Sequence, residues 1–75
     1  MAERLPSLRP DQLIAKLQRA GFYVAREGAR HTVLYDRKQP EVAISVPRHS
    51  KEMKRGLLAG LIKDAGLTQE DFLKL

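Results

Sequence analysis

A chain of 75 residues without cysteine has room for a single hydrophobic core, and it excludes disulfides, thiolate metal sites and cysteine nucleophiles. Fourteen Lys and Arg against nine Asp and Glu give a net charge of +5 and a pI near 10.0, which favours a polyanionic partner over a basic or neutral one. The charge is uneven, because residues 1–56 carry 12 cations against six carboxylates and residues 57–75 carry two against three.

The opening segment, MAERLPSLRP, is charged and broken by proline. It has no apolar stretch of the kind a signal peptide needs, and no run in the chain reaches the length of a membrane span. The expectation is a single domain over 1–75, soluble and cytoplasmic, with no membrane partner.

Residues 10–20 read as a helix. Pro10 suits the first helical position, Asp11 complements the positive end of the dipole, and Gly21 supplies a left-handed stop. Its apolar stripe is Leu13, Ile14, Leu17 and Ala20, with Gln12, Lys16 and Arg19 left for solvent.

From Phe22 the period changes to two, predicting a strand over 22–26, a turn at 27–29 around Gly28, and a second strand over 30–35. In that second strand His31, Val33 and Tyr35 share one face, and Thr32 and Leu34 the other. A charged turn, Asp36-Arg37-Lys38-Gln39-Pro40, precedes a third strand over 42–46 that Pro47 closes.

Residues 50–55 read as a turn or loose coil, and a second helix starts firmly near Gly56, with an apolar stripe of Leu57, Leu58, Leu61, Ile62 and Ala65 ending at Gly66. The spacing of Gly56 and Gly60 points to close packing on the sheet. Thr68 to Asp71 resembles a capping box that opens a short terminal helix through Phe72, Leu73 and Leu75. The fold class is therefore α+β, in the order α-β-β-β-α with a short C-terminal helix and a three-stranded antiparallel sheet covered on one face by helices.

No phosphate-binding loop, nucleophile elbow, metalloprotease helix or paired-carboxylate cluster is present, and two histidines without cysteine do not make a structural zinc site. No metal or cofactor is implied. What remains is imidazole chemistry on a basic surface. His31 emerges from a glycine turn beside Arg26 and Arg30, where it serves either as a proton-transfer group or as a strand histidine that merely packs. His49 sits in a basic loop with Arg48, Lys51, Lys54 and Arg55 leading into a helix start, a pattern that fits phosphate binding and equally a solvated loop. Tyr23 and Tyr35 offer surfaces for unpaired bases, although Phe22 and Phe72, the other two aromatics, read as core.

Several of these features together resemble the HicA-like mRNA interferase toxins. They are the first helix ending in Ala20-Gly21-Phe22, the turn before His31, Ile44-Ser45-Val46-Pro47 with His49, Lys54-Arg55-Gly56, and Ala65-Gly66-Leu67 with Phe72. The resemblance runs from about Pro10 to Leu75 and implies a fold similar to double-stranded-RNA-binding domains. It further implies an endoribonuclease acting on mRNA, with His31 as the catalytic residue, and a HicB-like antitoxin as partner. Many members read Gly-Ser-His where this chain reads Ala29-Arg30-His31. The expected RNA contacts are Arg26, Arg30, Arg48, His49, Lys51, Lys54 and Arg55. The alternatives are a non-catalytic RNA-binding module on the same fold, and an interaction domain whose main partner is another protein.

Overall fold

A computed structural model describes residues 7–48 and 52–75. The elements are α1 (Pro10–Arg19), β1 (Phe22–Glu27), β2 (His31–Asp36), β3 (Ala43–Pro47), α2 (Arg55–Asp64) and α3 (Gln69–Leu73). The three strands form one antiparallel sheet in the order β1-β2-β3, so the middle strand pairs on both sides. The expected α+β architecture is the observed one.

Each strand feeds alternate side chains into the core. Phe22, Leu34, Ile44 and Val46 are buried together with Leu13 and Leu17 of α1, Leu58, Leu61 and Ile62 of α2, and Phe72 of α3. The helices thus bury their stripes on one face of the sheet, and among the described residues the other face is left open. Pro10 opens α1, and the Gln12 side chain accepts a hydrogen bond from the Arg9 N–H at 2.9 Å. Gly21 follows α1 with φ at 108°, a conformation that an L side chain resists, and this releases the chain directly into β1.

Several expectations need correction. Leu57 does not belong to the α2 stripe and is 43% exposed. The stripe is Leu58, Leu61, Ile62 and Ala65, and at about 100° per residue Leu57 is turned off it. Gly56 and Gly60 do not pack on the sheet; both are exposed, and a Cβ at either would meet nothing within 4 Å. Lys16 is not left to solvent. Its stem runs back over the Phe72 ring, with Nζ 5.0 Å from the centroid, and Nζ donates to the main-chain oxygens of Leu75 at 3.0 Å and Phe72 at 3.5 Å. A long cationic side chain there covers apolar surface and supplies donors to main-chain oxygens at the end of α3.

Of the segment expected as loose coil, residues 52–55 are described: Arg55 already opens α2, and Met53 is a core residue at 3% exposure. Its N–H donates to the Leu8 carbonyl at 2.8 Å, an isolated bridge that ties the approach to α1 to the approach to α2. The strands are also offset by one residue from their expected limits. β1 extends to Glu27, Arg30 falls in the turn, and β3 runs over Ala43–Pro47 with Pro47 opposite His31. Proline is tolerated there because β3 is an edge strand and needs no outward N–H. Of the expected capping box one half forms: the Thr68 hydroxyl accepts from the Asp71 N–H at 3.0 Å.

Candidate functional site

Strict alternation along β1 would place Arg26 with Phe22 and Val24, toward the core. The pairing prevents this. Val24 faces Leu34 and Arg26 faces Val33, so Ala25 is an extra residue without a partner on β2. A one-residue irregularity of this kind resets the alternation. Arg26 therefore emerges on the open face beside Val33, and Glu27 after it turns toward the helix side.

The β1–β2 connection brings three more groups to the same place. The Gly28 N–H donates to the His31 carbonyl at 2.7 Å, and a Cβ at position 28 would stand 3.1 Å from that oxygen, closer than side chains ordinarily approach. Glycine thus lets the turn close tightly against the start of β2. Across the sheet, the Arg48 N–H donates to the Arg30 carbonyl at 2.7 Å and fixes the far side of the same turn. The result is a shallow cavity of about 290 Å³ lined by Arg26, Gly28, Arg30, His31, Val33 and Ser45.

His31 is exposed in this cavity, and none of the side-chain hydrogen bonds among the described residues involves its ring. That arrangement differs from a strand histidine packed or tied down as structure. Two arginines line the cavity with His31, and no acidic residue does among the described residues. Chemically, such a site is suited to an anion and leaves an imidazole accessible.

The other expected residues that are described, Arg48, Lys54 and Arg55, are not among those lining this cavity. The Arg48 guanidinium pairs with Glu27, Nη1 to Oε1 at 3.3 Å, and both line a separate cavity of about 370 Å³ with Pro10, Asp11 and Ile14. Lys54 and Arg55 are exposed at the start of α2, where the cap residue makes no side-chain cap hydrogen bond. His49 and Lys51 lie outside the described residues. Ser45 and Val33 line the His31 cavity without having been singled out from sequence. Alternation in β3 sets Ser45 apart from Ile44 and Val46, but only the register places it opposite Val33.

Residues 10–67 match the family model described as "HicA toxin of bacterial toxin-antitoxin". The chain belongs to the HicA toxin family. No match to a curated protein was found. As a HicA-family toxin the chain is one half of a toxin-antitoxin pairing. The matched segment contains every residue lining the toxin's His31 cavity, whereas α3, with its buried Phe72, lies beyond the match. Among its described residues, no helix is long and apolar enough to cross a membrane.

Proposed function

We propose that this toxin is a metal-independent endoribonuclease that cuts mRNA in the cytoplasm, with His31 as general acid or base and Arg26 and Arg30 holding the phosphate. The observation that carries the reading is that an exposed histidine and two arginines line one cavity to which no acidic residue contributes among the described residues. The proposed reaction is attack of a ribose 2′-oxygen on its own phosphorus. The O2′–P bond forms, the P–O5′ bond breaks, one proton leaves the 2′-hydroxyl, and one reaches the departing 5′-oxygen. Cations beside the phosphate stabilise the charge that grows in the transition state, and one positioned proton carrier contributes roughly 10² to 10⁴ in rate.

A single histidine handles half of this proton traffic. Tyr35 shares the open face but stands four residues along β2 from His31, about 13 Å at strand rise, and is not a lining residue of the cavity. That distance removes it from the scissile phosphate, so water, a substrate group or His49 carries the other proton. Further phosphate contacts belong to Arg48, His49, Lys51, Lys54 and Arg55. The free N–H groups of the first turn of α2 favour an anion beside Lys54 and Arg55. The partner in this reading is a HicB-like antitoxin whose acidic surface meets the basic face and covers the cavity.

Induced expression of wild type and His31→Ala, with RNA integrity followed in parallel, tests the proposal. Wild type should arrest growth and cut RNA in the presence of a chelator, and the variant should bind RNA without cutting it. A 2′-deoxy substitution at a cleaved position should abolish cutting there. Wild type that binds RNA but never cuts it identifies a non-catalytic binding module instead. Loss of Lys54 or Arg55 should each lower the salt slope of RNA binding by roughly 0.7.

A further inference from the structure

The end of the open face away from His31 carries a second cluster. Tyr23 and Tyr35 are paired residues across the β1–β2 ladder, and their ring centroids lie 6.2 Å apart with the planes inclined by 39°. The Arg37 guanidinium stands 5.2 Å from the centroid of Tyr23. Neither ring belongs to the core, and Tyr23 is 37% exposed. Half of the four aromatic side chains in the chain are therefore held outside the core on the sheet face opposite the helices, Tyr23 exposed and Tyr35 half-buried, where aromatic side chains can stack on unpaired bases.

The charge around them selects the partner. Asp36 and Glu27 each follow an outward residue and so turn to the other side of their strands. The Asp36 carboxylate accepts from the Lys38 N–H at 3.0 Å, and Glu27 holds Arg48. The open face thus has Arg37 at one end, Arg26 and Arg30 at the other, and a tyrosine pair on the path between them. An anionic chain with exposed aromatic rings complements that arrangement better than an acidic peptide, which offers charge alone.

We infer that Tyr23, Tyr35 and Arg37 form a base-stacking subsite for single-stranded RNA, holding an unpaired base of a nucleotide neighbouring the one whose phosphate occupies the His31 cavity. The inference rests on the RNA reading above. The separation of about 13 Å along β2 is too long for the base of the reacting nucleotide itself and suits one further along an extended strand. Bases inside a duplex are already stacked and cannot offer a face to these rings, so the subsite favours unpaired RNA.

The chain has two tyrosines and no tryptophan, so its intrinsic emission reports these two rings alone. Full-length wild type is titrated with a short 2′-O-methyl oligouridylate, whose blocked 2′-oxygen prevents cutting, with an abasic ribose-phosphate oligomer of equal length, and with polyglutamate. The oligouridylate should bind and change the tyrosine emission, and the abasic oligomer should bind roughly ten-fold more weakly and leave it unchanged. Tyr35→Leu and Tyr23→Leu should each weaken oligouridylate binding toward the abasic value, with circular dichroism confirming the fold. Equal binding of the two oligomers, or an emission that does not move, overturns the stacking subsite and leaves the RNA reading standing. Polyglutamate binding as tightly with the same emission change also overturns it, in favour of an acidic protein partner. If folded wild type binds neither oligomer, the RNA reading falls and the inference with it.

Discussion

On the covered side of β2, Thr32 and Leu34 are almost fully removed from water, while their neighbours His31, Val33 and Tyr35 look out from the other side of the same strand. The core on the covered face is apolar apart from Thr32 and is closed by three helices. The open face carries an imidazole, guanidinium groups and tyrosines with no core role. Substitutions one residue apart should therefore affect different properties, stability on one side and activity on the other.

The largest expected contrast is between His31 and Leu34. His31→Ala should reduce RNA cleavage by roughly 10² to 10⁴ and change stability by less than about 0.5 kcal/mol, because an exposed ring with no hydrogen-bond partner among the described residues is removed. Leu34→Ala should cost about 2–5 kcal/mol in urea unfolding, a large part of what so short a chain has, and leave cleavage per folded molecule intact. If His31→Ala unfolds the protein, or Leu34→Ala selectively abolishes cleavage, the division between the faces fails.

A smaller effect probes Thr32, the buried polar residue among the described residues. Thr32 is 1% exposed, and its hydroxyl has no hydrogen-bond partner among the described residues. Burying such a group without compensation is unfavourable, so Thr32→Val should raise stability by about 1 kcal/mol without altering cleavage. A destabilised variant would show that the hydroxyl contributes a bond after all. The smallest expected effect lies away from both faces of the sheet. Gly60→Ala, in an exposed helical position with open space around it, should stabilise by about 0.5–1 kcal/mol as judged by the thermal midpoint. No gain there would mean that the outer side of α2 is constrained by something other than helix propensity.

Much of this was legible in the chain itself. Period-two alternation separates His31, Val33 and Tyr35 from Thr32 and Leu34 without any coordinates, because successive strand side chains must point to opposite faces. Pro10 and Gly21 bound α1 for equally local reasons, a fixed φ at the start and a left-handed φ at the end. Met53 and Leu8 were not legible, because a bridge of one residue on each side has no period to read. Leu57 and Lys16 misled in opposite directions: an apolar residue beside the α2 stripe faces water, and a cation on α1 covers Phe72.

The sequence by itself determined the element order, the basic balance and the side of β2 on which His31 stands, since each depends on neighbours a few residues away. Only the tertiary structure decided what stands beside His31. Ala25 has no counterpart on β2, and this shift carries Arg26 to the open face; the ladder between β2 and β3 then sets Ser45 opposite Val33. Such register is fixed by how whole strands bury their apolar sides together, which no local stretch of the chain specifies.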